Sequence, residues 1–141
     1  MNKKLLGLAG IAAALFAYPA VAHHSFAMFD NSITTTRAGT IEGFEYINPH
    51  AWIHLAVPAE NGDTATWSFE MGSVAQLNRD GWNQETVTLG DAVEVGFHPL
   101  KDGSNGGQFR YLVFEDGRAI CQGGAGAGAA CNPADYGAPI N

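Results

Sequence analysis

Between Thr36 and Ile120 hydrophobic and polar residues alternate with a period of two. Ala51, Ile53, Leu55 and Val57 share one face of a run whose other face carries Trp52 and His54. Trp67, Phe69 and Met71 alternate with Thr66, Ser68 and Glu70, and Val93, Val95 and Phe97 alternate with Glu94, Gly96 and His98. Such alternation predicts half-buried strands. Phe109 to Phe114 is apolar on both faces apart from Arg110, the pattern of a strand covered on two sides. Thr40 to Ile47 makes a fifth strand.

Between the third and fourth runs the pattern changes, and Ser73 to Gly81 carries its own helix signals. Ser73 can cap the free amides, Gln76 completes a capping box, and Gly81 suits a left-handed exit. Turns fall at Asn61-Gly62-Asp63 and across Asp102 to Gly107. Gly103, Gly106 and Gly107 precede a strand, not a helix, so they are no phosphate loop and read as a flexible hairpin tip. The order strand-strand-strand-helix-strand-strand predicts an all-β protein with one short helix, a small five-stranded OB-like Greek-key barrel. An open sandwich is the competing arrangement.

The ends of the chain follow different rules. Lys3 and Lys4 precede an apolar stretch from Leu5 to Ala17, and Ala20-Val21-Ala22 supplies the small residues a signal peptidase reads. Residues 1–22 are therefore expected to be a signal peptide cut between Ala22 and His23, giving a periplasmic or secreted product. The apolar run is too short to span a bilayer, and no cysteine lies beside the cut to take a lipid, so no membrane anchor is expected after processing. Residues 23–35 form an N-terminal histidine arm, 36–120 the barrel, and 121–141 a Gly/Ala-rich tail. In an oxidising compartment the two cysteines, Cys121 and Cys131, are expected to pair as a local staple worth at most about 2–3 kcal/mol. Their spacing is not Cys-x-x-Cys, which argues against a redox role.

Composition narrows the partners. The chain has 141 residues, 46% hydrophobic and 11% aromatic, enough for one domain with a core despite 18 glycines. Its 7 Lys and Arg stand against 14 Asp and Glu; losing Lys3 and Lys4 leaves 5 against 14, a net charge of -9. With no basic cluster, nucleic acid is excluded as a partner, and cations are drawn to the surface.

All five histidines, His23, His24, His50, His54 and His98, lie in the exported part. A chain beginning at His23 offers an α-amine and an imidazole from one residue, half of a histidine brace. A third imidazole would complete a tetragonal nitrogen set suited to Cu(II). His24 is an auxiliary ligand, and Met28 is a soft donor that could instead pack beside Phe26 and Phe29. His50 and His54 project from one strand face about 13 Å apart, too far to share one ion. His50, at the loop end Asn48-Pro49-His50, is the preferred third ligand. His98, before Pro99, is the other, and His54 reads as a half-exposed sheet residue. The competing reading is that residues after a cleavage site can be any polar type without penalty.

Acyl-transfer chemistry is poorly supported. No serine sits in a Gly-x-Ser-x-Gly elbow, and pairs such as Glu42 with Glu45 or Glu115 with Asp116 read as solvated faces.

His23-His24-Ser25-Phe26, Asn48-Pro49-His50-Ala51-Trp52-Ile53, Gly90-Asp91, His98-Pro99-Leu100 and Asp116-Gly117-Arg118 together resemble a family of small exported bacterial proteins known only as a domain of unknown function. The resemblance runs from His23 to about Ile120 and implies a mature chain that begins with the two histidines. It implies no activity, substrate or cofactor.

Two expectations of function result. The first is an exported copper-binding carrier or buffer, not an enzyme, with His23, His24 and either His50 or His98 as ligands. No substrate groove is legible, and oxidative chemistry at a bound copper is its enzymatic extension. The second is a metal-free OB-type module binding an exported protein or an oligosaccharide, with Trp52, Tyr46, Trp67 and Trp82 as stacking residues whose plainer role is packing.

Overall fold

The computed structural model describes residues 25–123 and 131–137. The expected signal peptide, residues 1–22, and His23 and His24 lie outside them. After a 3₁₀ turn at Ser25–Met28 come β1 (Thr35–Glu45), β2 (Trp52–Pro58), β3 (Thr64–Glu70), helix α1 (Val74–Arg79), β4 (Ala92–Pro99), β5 (Gly106–Phe114) and β6 (Ala119–Cys121), then a second 3₁₀ turn at Pro133–Tyr136.

Antiparallel pairing runs in the order β3-β2-β1-β4-β5-β6, and a parallel pairing of β3 with β5 closes the first five strands into a barrel. With the helix inserted between β3 and β4, this is the OB-type barrel that the element order predicts. The faces follow the alternation. Ile53 and Leu55 of β2, Phe69 of β3, Val95 and Phe97 of β4, and Phe109 and Leu112 of β5 all point inward and are essentially inaccessible. Trp52 and His54 alternate with them and face outward.

The helix follows its written signals at both ends, except that the Gln76 amide lies over Gly72 and does not complete the capping box. Ser73 Oγ accepts the Gln76 N–H at 3.3 Å. At the exit, Gly81 adopts φ +92°, its N–H reaches the Asn78 carbonyl, and the Trp82 N–H reaches the Leu77 carbonyl at 2.9 Å. That is a Schellman motif, and its Leu77 and Trp82 side chains are both buried.

Three expectations are revised. β1 starts at Thr35, not Thr40, because its β-branched opening pairs with β4 while its second half pairs with β2. The short β6 was not expected; three residues are too few to show an alternation. Gly106 and Gly107 are not a flexible tip. They open β5 at the closure seam, where a Cβ on Gly106 would lie 2.1 Å from the Ser68 carbonyl oxygen and one on Gly107 2.2 Å from that of His98. Backbone approaches backbone there, and only glycine fits.

Candidate metal centre

Strand register assembles an outer row that the sequence disperses between Trp52 and Gln108. Trp52 pairs with Glu70, Glu70 with Gln108, and Gln108 with His98. His50 sits just before β2, in a segment fixed to the end of β3 by Ala51 N–H to the Gly72 carbonyl and Met71 N–H to the Ala51 carbonyl.

Its ring reaches over β3, and His50 Nδ1 donates to Glu70 Oε1. The side chain of Glu70 is 7% exposed and that of His50 31%. A carboxylate only accepts, so in the neutral imidazole the proton is on Nδ1 and the lone pair on Nε2. A buried carboxylate behind an imidazole is the arrangement that fixes tautomer and ring angle in metal-bound histidines. Sequence reasoning missed Glu70. On a strand whose other outward residues are Ser68 and Thr66, only the pairing of β2 with β3 reveals its role.

The N-terminal arm passes directly over this point. Phe29 is buried and forms a bridge with Leu100. Asp30 N–H reaches the Pro99 carbonyl at 2.8 Å, Lys101 N–H the Met28 carbonyl at 2.9 Å, and Lys101 Nζ the Ala27 carbonyl at 2.8 Å. Upstream of these ties the Phe26 ring lies 6.1 Å from the His50 ring, centroid to centroid. The arm thus enters the described structure beside His50 and leaves along Pro99 and Leu100. Met28 is exposed.

His98 also keeps Nε2 free, since its Nδ1 donates to the Ile33 carbonyl at 2.7 Å. It lies beside Asp30, whose carboxyl is held below its usual range chiefly by hydrogen bonds from the Ser32 hydroxyl and amide, with lesser pulls from Lys101 and His98. His54 has no free nitrogen. Its Nδ1 meets Ser68 Oγ at 2.9 Å and its Nε2 meets Glu45 Oε1 at 3.1 Å. This serine–histidine–glutamate line has the connectivity of a nucleophilic triad, but the Ser68 N–H is bonded to the Asn105 carbonyl and the serine lies mid-strand. That amide is engaged in the fold and not free to serve an oxyanion.

The aromatic candidates separate. Trp82 is buried, its indole Nε1 donating to the Cys121 carbonyl at 3.1 Å. Tyr46 packs against the core and its hydroxyl donates to Asn78 Oδ1 at 2.6 Å. Trp67 packs inward beneath the Arg37 guanidinium, 4.3 Å from its ring centre. Trp52 alone of the four stands on the outer face, its ring parallel to that of His54 at 6.5 Å.

Among the described residues no group of three or more His, Cys, Asp or Glu side chains could hold a metal ion, so His50 and His98 each need donors from elsewhere. The geometry defines a small OB-type barrel with an outward histidine beneath its N-terminal arm. The model of a family of unknown function, DUF6152, matches residues 12–109, and the chain belongs to that family. No curated protein and no solved structure matches it.

Proposed function

We propose that this is an exported copper-binding protein, a carrier or buffer, whose site joins the amine and imidazole of His23 to Nε2 of His50. The observation that carries the reading is the His50–Glu70 pair: a buried carboxylate holds Nδ1 and leaves Nε2 without a hydrogen-bond partner among the described residues, on a ring that Phe26 of the arm approaches. Phe26, three residues after His23, already packs on the His50 ring, so covalent geometry leaves His23 within reach of His50. That favours His50 over His98 as third ligand, with His24 auxiliary. Three nitrogen donors in this set suit Cu(II), and the acidic surface draws cations towards it.

The test is the intact mass of protein exported to the periplasm, followed by Cu(II) titration of that sample under electron paramagnetic resonance. A chain starting at His23, one tight copper, and a nitrogen hyperfine pattern that falls from three coupled nitrogens to two in His50→Ala but is unchanged in His98→Ala is the expected result. Affinity unchanged when one extra residue precedes His23 overturns the brace.

The position of Trp52 favours a second reading, a metal-free module gripping an oligosaccharide or protein partner on its outer face. It requires that Trp52→Ala abolish partner capture whatever the metal content.

A further inference from the structure

Cys131 to Gly137 forms a short strap on the outer wall of the barrel. Its 3₁₀ turn is capped by Asn132, whose Oδ1 accepts the Ala134 N–H, and by Gly137 at φ +75°. Every hydrogen bond of the strap found among the described residues is internal. What holds it to the barrel is the Tyr136 ring, 6.1 Å from that of Tyr111 and 5.1 Å from the Arg110 guanidinium carbon, together with the Cys121–Cys131 disulfide.

Cys121 is fixed without that bond. β6 is paired to β5, and the Cys121 carbonyl accepts from Trp82 Nε1. Gln122 N–H reaches the Arg110 carbonyl at 2.9 Å, Gln122 Oε1 accepts the Gly72 N–H at 2.7 Å, and Gly123 N–H reaches Asp80 Oδ2 at 2.8 Å.

Beneath the strap, Arg110 Nε and the Tyr111 hydroxyl are buried with no hydrogen-bond partner among the described residues. Polar atoms left so favour any state in which water reaches them. Ordering the strap's seven residues also costs more conformational entropy than one aromatic contact returns. Both effects push the strap away from the wall, and the covalent bond keeps it there.

We propose that the Cys121–Cys131 bond is a redox-sensitive latch, whose reduction releases residues 131–137 and uncovers the Arg110–Tyr111 wall while the barrel stays folded. A thiolate of an exported dithiol reductant attacks the bridge, breaking the S–S bond and forming a mixed disulfide. The reductant's second thiolate then resolves that disulfide. Two electrons pass from the dithiol to the bridge, Cys121 and Cys131 leave as thiols after gaining two protons, and the reductant ends as a disulfide. Half-buried Cys131 is the accessible sulfur; Cys121 is buried. The latch is independent of any metal.

Hydrogen exchange followed by mass spectrometry, on the oxidised protein and after dithiothreitol, reads it directly. Amides of residues 131–137 are expected to lose their protection while those of β2 and β4 keep theirs. In Cys121→Ser/Cys131→Ser, which has no thiol to consume the reagent, tetranitromethane is expected to nitrate Tyr111 at least tenfold faster than in the oxidised protein. Tyr136→Ala with the bridge intact is expected to raise nitration of Tyr111 as well. Unchanged protection of the strap after reduction, an inert Tyr111 in the double variant, or protection lost throughout the barrel each overturns the latch.

Discussion

Glu70 occupies an outward position on β3 and is nonetheless almost wholly buried, because His50 lies across it. In the proposed copper site, with His23 and His50 as ligands, Glu70 orients the donor nitrogen without touching the metal. Glu70→Gln keeps the shape and removes the charge, so Cu(II) affinity measured by chelator competition is expected to fall about 10- to 100-fold, with the thermal midpoint of the apo-protein little changed. Tyr111 is the second informative residue. Its ring lies flat on Gly96, where a Cβ would come within 2.1 Å of it. Burial first, then the nearby Glu94 carboxylate, raises its phenol above the ordinary 10.0. A folded-state value above the unfolded one means the folded chain holds the proton more tightly. The associated stability is present below about pH 10 and is lost as pH rises through the raised value. Tyr111→Phe also deletes a buried hydroxyl without a partner, so its apo-protein is expected to match or exceed the parent in stability at neutral pH and to lose less of its thermal midpoint above about pH 10.

At the scale of elements, α1 is only six residues long and owes its boundaries to its caps and to Leu77 and Trp82 in the core. Both ends are legible because cap chemistry is local: a hydroxyl before the first turn and a glycine after the last need no distant partner. One detail was not. The Gln76 amide oxygen sits over Gly72, close enough that a Cβ there would meet it at 2.9 Å, instead of turning back to the Ser73 amide. Ser73 Oγ on the Gln76 N–H and Asn48 Oδ1 on the Val74 N–H, at 3.2 Å, therefore carry the helix start, and Ser73→Ala is expected to cost about 1 kcal/mol in urea unfolding. β5 reads as covered on both faces, and the second cover is the strap, through Tyr136 on Tyr111. The Gly/Ala-rich tail has no core of its own and was not legible as that cover, because its anchor is one tyrosine and one disulfide. The bulge that sets Arg110 outside the β4–β5 register, and so places it against Tyr136, exists only once the two strands pair.

For the whole molecule, closure depends on the parallel seam between β3 and β5, where Gly106 at φ +148° lies against the Ser68 backbone. Gly106→Ala adds both a strained conformation and a clash with backbone, which cannot swing aside as a side chain can. Its expected cost is about 2–4 kcal/mol by chemical denaturation, and a loss under about 0.5 kcal/mol would show the seam to be loose. The alternation of apolar residues and the order of elements determined the barrel, its inward residues and its one helix, since period-two burial and turn chemistry are properties of neighbours along the chain. The histidines, the cysteine pair and the acidic balance were equally plain. Which residues meet was decided only by tertiary structure. Register across three strands set Glu70 behind His50 and tied up both nitrogens of His54, and docking of Phe29 on Leu100 set the arm beside His50. These contacts join residues tens of positions apart, and such distances are fixed by how the sheet curls and closes, a quantity no local pattern encodes.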